Sequence, residues 1–507
     1  MSAWSVVGLV LVTALVALVL HDVLQRRHTV LRNFPVIGHL RYLLERVGPE
    51  LRQYIVTSND AERPFSRDQR SWVYATAKRE NDYVGFGTDN DLERPPPGYV
   101  IVQHAAFPHP PVAADADPLH PIPAAKVVGA RHHRRHAFRP ASIVNISGMS
   151  YGSLSAAAVE ALNRGAALAG CLQATGEGGV APAHLHGGEL VLQIGTGYFG
   201  VRDAHGAFDL GRLIDLCAQH PVRAIEIKLS QGAKPGLGGL LPAAKVTPTI
   251  AAVRGVPAGR DCVSPNRHTA FGDTDSLIAF VERIADATGL PVGVKAAVGD
   301  TGFWRELARR MGDLAGGPDY VVIDGGEGGT GAGPLAFTDH VALPFRIAFP
   351  RVYREFAEAG LHHDIAFAGS AKLGFPESAL HAMALGCDWV AVAREPLLAI
   401  GCIQAQRCHT GHCPTGITTH NRWLVRGLDP TDKSARCANY VITLRKELLR
   451  LAHACGVSHP ALVGPRRIEI LDGLGGSRPL GDTVGYAEGW GIPGARDRRA
   501  IDEVMGG

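Results

Sequence analysis

The sequence predicts an α/β protein: a (β/α)8 TIM barrel with an N-terminal transmembrane helix and a C-terminal helical extension. Three observations lead there. Eight short apolar runs alternate with helical segments over about 280 residues, the count and size of a barrel. Most of these runs end in a polar loop bearing glycine, as barrel strands do at the face that carries active sites. Ahead of them, Ala3 to Leu20 carries no charge and is mostly Val, Leu or Ala, long enough with its flanks to span a bilayer. Doubly wound sheets share the alternation, and the loop ends favour the barrel.

The apolar N-terminal stretch has no Lys or Arg before it and no small-residue cleavage site after it, so it reads as an anchor rather than a cleaved signal. Arg26, Arg27, Arg32 and Arg41 follow it, which predicts a body on the cytoplasmic side of the membrane. Asn33 to Gly38 reads as a turn. His39 to Arg46 reads as a short amphipathic helix near the membrane surface. Glu80 to Ala141 is rich in proline and reads as a long wrapping segment. Its basic run, Arg131 to His136, reads as a solvated face.

The eight runs are Ile143–Ile146, Leu172–Ala174, Leu190–Ile194, Ala224–Leu229, Val292–Lys295, Tyr320–Ile323, Ile365–Phe367 and Trp389–Val392. Helices are expected at Leu154–Ala169, Leu210–Gln219, Pro248–Arg254, Thr274–Thr288, Phe303–Leu314, Arg346–Glu358 and Pro376–Leu385. In the tail, Tyr440–Cys455 reads as an amphipathic helix on the barrel's outside, with Arg445, Lys446 and Arg450 on its polar side. Gly475 to Gly507 is polar and Gly-rich and reads as partly disordered. The expected organisation is therefore an anchor (3–21), a juxtamembrane and wrapping segment (22–140), a barrel (141–422) and an extension (423–507).

Composition excludes some functions. A net charge of +3 leaves no footprint for nucleic acid. Nine cysteines in a chain of 507 residues are not a secreted disulfide framework. Three of them, Cys402, Cys408 and Cys413, fall within twelve residues and are followed by a proline. Three thiolates can converge on one soft metal centre. Spacing alone leaves a three-iron cluster and a zinc site completed by His409 or His412 both open.

Gly369, Ser370, Ala393 and Arg394 follow runs seven and eight, the usual barrel phosphate position. Lys295, late in run five, can face an electron-rich flavin ring, with Asp324 or Glu226 as its carboxylate partner. Glu226 and Lys228 lie two apart on one strand and so point to the same side. A charged pair pointing inward near a strand's end is a site signal.

Three motifs in fixed order resemble the FMN domain of glutamate synthases. They are Glu226 to Val246 (EIKLSQGAKPGLGGLLPAAKV), Asp324 to Ala332 (DGGEGGTGA) and the three-cysteine spacing. The resemblance covers about Pro140 to His420. It implies an FMN-binding barrel, a [3Fe-4S] cluster on Cys402, Cys408 and Cys413, and reduction of 2-iminoglutarate, formed from 2-oxoglutarate and ammonia, to L-glutamate. On this resemblance, Lys234 and Arg254 hold the substrate's carboxylates beside Lys228 and Glu226. The flavin lies over Ser147, Gly148, Met149 and Ser150 and over the loop carrying Thr175 and Glu177. Gln193 and Lys295 approach its ring, Asp324, Gly325 and Gly326 form part of its site, and its phosphate sits at Gly369-Ser370 and Ala393-Arg394.

The chain departs from the family at Leu240, where the resemblance predicts a glutamine. No glutaminase domain and no nicotinamide-binding unit are expected in it, so ammonia that is free or comes from a partner, and a separate electron donor, ferredoxin-like or a reductase subunit, are expected. Two other readings remain at this stage: the same cofactors with a different substrate, and an electron-transfer module at the membrane.

Overall fold

A computed structural model describes residues 2–25, 29–81 and 83–506. The chain falls into two compact units, Met1–Ser71 and Trp72–Gly507.

In the first unit, α1 (Ala3–Leu24) begins at Ser2, whose hydroxyl accepts the Ser5 N–H and so satisfies an otherwise orphaned donor. Its apolar residues are almost all exposed. A second, amphipathic helix runs over Gly38–Leu51, longer than the expected His39–Arg46. Arg26 and Arg27 lie outside the described residues, whereas Arg32 ends the short helix Thr29–Asn33.

In the second unit eight parallel strands close a barrel. They are β1 (Val144–Ile146), β2 (Gln173–Ala174), β3 (Leu190–Ile194), β4 (Val222–Lys228), β5 (Val292–Ala297), β6 (Tyr320–Asp324), β7 (Ala366–Ser370) and β8 (Trp389–Val392). Val390 pairs with Val144, which joins β8 to β1. All eight match the apolar runs to within about three residues at each end. Every strand is covered by side chains on both faces, which is why the runs read as continuously apolar. The helices between them sit where the 3.6-residue period places them. Ala156–Ala169, for example, starts at Ser155, which caps the Ala158 N–H, and stops at Gly170 in the left-handed conformation.

The wrapping segment is mostly irregular, as expected, but Val100–Val102 adds antiparallel to Ile468–Leu471. That pairing, with Ser477–Pro479 on the other side of Ile468–Leu471, corrects the reading of the tail. Residues 475–506 form a strand and the helices Leu480–Val484 and Ala495–Met505, because Leu480, Ile501 and Met505 are buried. Gly507 lies outside the described residues.

The amphipathic tail helix spans Pro430–Ala454 and packs along Ala156–Ala169. Gly165 makes this possible: a Cβ there would stand 2.6 Å from that of Cys437. Arg445 is not on the polar side as expected. It is buried and donates to the backbone oxygens of Leu119 (2.7 Å) and Ala169 (2.8 Å), a cation closing the C-terminal end of a helix.

The basic run is a solvated face only in part: His133, Arg135 and His136 are exposed, as expected. Arg134 is buried and pairs with Glu282 (2.7 Å) and Asp319 (3.1 Å), and His132 meets Asp319 at 2.7 Å. These pairs tie the wrapping segment to the barrel's N-terminal end.

Candidate active site

The carboxyl ends of β3 to β7 bring most of the expected residues to one mouth. On β5, Lys295 is buried and donates to the hydroxyls of Ser147 (3.1 Å) and Ser370 (3.5 Å), with Asp324 at 4.0 Å. Both hydroxyls are neutral and the carboxylate is beyond hydrogen-bond distance. The ammonium therefore keeps capacity for an electron-rich partner. Asp324 is turned the other way, accepting the Gly232 N–H at 2.8 Å.

One layer deeper, Gln193 on β3 donates to Glu226 on β4 at 2.5 Å, the two being register partners. Burial raises the Glu226 carboxyl above its usual range, against the opposing pull of Lys295. Gln193 also lies hard against Gly148, where a Cβ would come within 2.6 Å of its amide nitrogen. Only glycine lets the loop after β1 descend to that level. In the next loop Thr175 accepts the Gln193 N–H at 3.1 Å. A cavity lined by Glu226, Tyr320, Gly148 and apolar side chains lies within the barrel beneath this layer.

Beside Lys295 lies a second charged group. Lys228 meets Glu177 at 3.0 Å and Gln231 at 3.0 Å. Burial opposes the charge of Glu177, but Lys228, then Lys234 and Arg254, hold its carboxyl below the usual range. Three cations thus surround one carboxylate. Burial also pushes the Lys234 ammonium down, with Glu177 opposing. Arg254 is buried, donates to the Tyr151 carbonyl at 2.9 Å and lies 4.9 Å over the Phe199 ring. It therefore supports the β1 loop as well as the charge cluster.

The expected phosphate corner is assembled in part. Arg394 is half-buried at the start of the helix Arg394–Ala399 and donates to the Glu327 carbonyl at 2.5 Å, in the loop after β6. The glycines there answer to packing. A Cβ at Gly369 would meet Phe345 and Leu373 at 2.7 Å, and one at Gly325 would meet Ala371 and Phe345 at 2.7 Å. Leu240 does not point into the mouth. It pairs with Val263 in a small two-stranded sheet and is 54 % exposed. Gly239 is the residue of that segment nearest the site, with its Cβ direction 3.2 Å from Glu177.

The three cysteines lie in the loop that follows Arg394–Ala399. Among the described residues no three His, Cys, Asp or Glu side chains converge in a metal-holding arrangement. The donor chemistry nonetheless suits an anionic thiolate centre, because a buried cation serves this loop. Lys245 donates to the backbone oxygens of Cys408 and Thr418, both at 2.8 Å. Burial pushes its ammonium down, and the Cys408 and Cys413 thiols work the other way.

Sequence reasoning missed Lys245, since an isolated lysine reads as a solvated side chain. It also missed His268, which holds the Lys228 carbonyl at 3.0 Å and the Tyr198 hydroxyl at 3.1 Å. No spacing announces either contact.

Comparison with known proteins follows the same line. The family model described as "Conserved region in glutamate synthase" matches residues 110–458. The "Glutamate synthase large subunit-like protein YerD" of Bacillus subtilis (strain 168) is 37% identical over 473 residues, covering 87% of this chain and 89% of that protein. The "Archaeal glutamate synthase [NADPH]" of Methanocaldococcus jannaschii is 35% identical over 318 residues, covering 62% of this chain. The chain spans 59% of that protein and 62% of the archaeal-type enzyme of Thermotoga maritima. Among solved structures, a mandelate oxidase aligns over 81% of this chain and 91% of its own at 15% identity, with a TM-score of 0.43. The chain belongs to the glutamate synthase family and is an oxidoreductase of that type.

Proposed function

We propose that the barrel binds FMN and reduces 2-iminoglutarate, formed from 2-oxoglutarate and ammonia, to L-glutamate. One observation carries the reading: Lys228, Lys234 and Arg254 gather around the single carboxylate of Glu177, beside the hydroxyl-bound Lys295. The excess of positive charge in a half-closed mouth suits a dicarboxylate, whose two charges these donors can meet. The free capacity of Lys295 suits a flavin ring, and Arg394 with Ser370 suits its phosphate. A bound flavin supplies hydride transfer.

This chain's own residues do the rest. Lys234 and Arg254 hold the substrate's carboxylates. Lys228, fixed by Glu177 and Gln231, sets the polarity above the ring. Glu226 and Gln193 shape the floor and hold the β1 loop at its depth.

In this reading Cys402, Cys408 and Cys413 would hold a [3Fe-4S] cluster, which would supply single-electron chemistry with a separate donor. Lys245 balances its negative charge. The helix α1 anchors the chain in the cytoplasmic membrane with the catalytic body on the cytoplasmic side. The 22 residues of α1, mostly apolar and with only Asp22 near its end buried, support the anchor.

The test is anaerobic purification followed by an absorption and iron measurement, then assay with 2-oxoglutarate, ammonia and a chemically reduced donor. Flavin, about three irons per chain and glutamate formation support the reading. A colourless, iron-free protein, or one that makes no glutamate, overturns it.

A second reading keeps the cofactors and changes the substrate. It is prompted by Leu240, an exposed apolar residue where the family resemblance predicts a glutamine. Oxidation of the reduced flavin by other oxo acids, with none by 2-oxoglutarate, decides for it.

A further inference from the structure

Within the first unit, α1 does not end freely. Asp22, two residues from its C-terminal end, is completely buried. Its carboxylate accepts the Val36 N–H at 2.9 Å and meets the His39 imidazole at 2.9 and 3.0 Å and the His21 imidazole at 3.3 Å. Val36 belongs to the turn that precedes the helix Gly38–Leu51, and His39 is that helix's second residue. The clamp therefore fixes the start of the second helix at the level where α1 stops.

From that point a second apolar surface begins. Phe34, Ile37, Leu40, Leu44, Val47 and Leu51 recur at spacings of three and four, so they form one stripe. All six are exposed, Ile37 at 75 % and Leu44 at 54 %. Glu45 and Arg46 fall on the other side of the same helix, and Arg41 pairs with Glu45 at 2.8 Å. Six exposed apolar side chains in a row are costly in water, at about 25 cal/mol for each Å² left uncovered. What covers them must be continuous with what covers α1, because the Asp22 clamp joins the two surfaces.

We propose that residues 3–51 form a two-part membrane element, in which α1 crosses the bilayer and the helix Gly38–Leu51 lies along the phospholipid interface with the stripe from Phe34 to Leu51 facing the acyl chains. An interfacial helix needs such an apolar stripe and a polar back that stays wet. At 1.5 Å per residue, α1 is about 33 Å long, which brings Asp22 to the edge of a hydrocarbon core of about 30 Å. A carboxylate there is tolerated because its hydrogen bonds are satisfied within the hairpin. The hairpin then serves as a depth gauge: the span cannot slide inward without dragging the amphipathic helix off the interface.

The inference rests on α1 being a membrane span, so the test separates the two. A photo-crosslinking amino acid is placed singly at Val10, Leu44 or Glu45 of the full chain, reconstituted in vesicles of phosphatidylcholine and phosphatidylglycerol. Capture of phospholipid at Val10 and Leu44, with at least a tenfold lower yield at Glu45, supports the proposal. Capture at Val10 with equal, low yields at Leu44 and Glu45 overturns the interfacial helix while leaving the span intact. Capture of a second copy of the chain at Leu44, in place of lipid, also overturns it. Absence of capture at Val10 ends the span reading and this one together. Asp22→Ala should lower capture at Leu44 severalfold and leave Val10 unchanged; an unchanged yield at Leu44 removes the clamp's role.

Discussion

Lys245 donates to the backbone oxygen of Cys408 at 2.8 Å, tying the segment after β4 to the cysteine loop. The same ammonium holds the Thr418 oxygen, so one buried lysine bridges both sides of that loop. Lys245→Met leaves two carbonyls without their donor, at a cost of about 1–3 kcal/mol each where they stay dry. The expected result is a lower Tm, faster alkylation of Cys408 and Cys413 by a thiol reagent, and a lower iron content. Mass spectrometry of the alkylated protein and an iron assay check it. Unchanged alkylation rates would remove Lys245 from any role in ordering the loop.

Lys228→Met removes the closest partner of Glu177 and leaves that carboxylate to the more distant Lys234 and Arg254. Truncating one member of a buried, hydrogen-bonded charge pair costs at least about 2 kcal/mol, or about 30-fold. The prediction is a fall in kcat/KM of at least that size in the glutamate-forming assay. If Lys228 acts only in binding, KM rises while kcat holds. Steady-state kinetics across 2-oxoglutarate concentrations distinguish the cases.

Glu226 gives a prediction with a definite sign. Its folded carboxyl is raised by burial, so between the unfolded value and the higher folded one the native state binds more protons. Stability must then fall as pH rises through that window. Glu226→Gln keeps an acceptor for Gln193 and removes the charge. The variant should lose that part of the decline and show a higher Tm than the parent near pH 7. Calorimetry from pH 4 to 8 tests this.

Three buried histidines predict the opposite slope at lower pH. Burial pushes His184, His268 and His459 each down to about 4 from an ordinary 6.5. The unfolded chain takes up protons there first, so stability rises with pH between about 4 and 6.5 and drops on acidification. Each group contributes up to about 1.4 kcal/mol per pH unit within the window. His268→Gln should flatten the slope by one such share, read from urea midpoints at pH 5 and 6.5.

Gly165→Ala tests the packing of the tail helix. A methyl group there would stand 2.6 Å from the Cys437 Cβ. Overpacking costs about 1–3 kcal/mol, against about 1 kcal/mol gained in helix propensity. A net destabilisation of up to about 2 kcal/mol is expected, and Gly165→Ala combined with Cys437→Gly should recover part of it.

The barrel was legible because buried parallel strands leave continuous apolar runs, and because the loops at their ends must bend sharply around a site. Each of the eight runs therefore announced itself in three to six residues. What stayed hidden is long-range and polar. Arg445 and Arg134 look like surface cations in sequence, and only distant carbonyls and carboxylates draw them inside. The tail looked disordered because its apolar residues are sparse. Leu480, Ile501 and Met505 are nevertheless buried, and the helix Leu480–Val484 packs on the strand Ile468–Leu471. At the mouth, the motif residues could be named in advance. The partnership of Lys228, at the end of β4, with Glu177, in the loop after β2, depends on how the ring closes.

The wrapping segment has one more effect. Ile122 bridges to Ser142, Val128 bridges to Phe138, and Phe138 and Pro140 help line the cavity inside the barrel. These side chains cork the amino-terminal opening of the cylinder. The candidate site lies at the opposite rim, so the segment shuts the end of the cylinder that the site does not use.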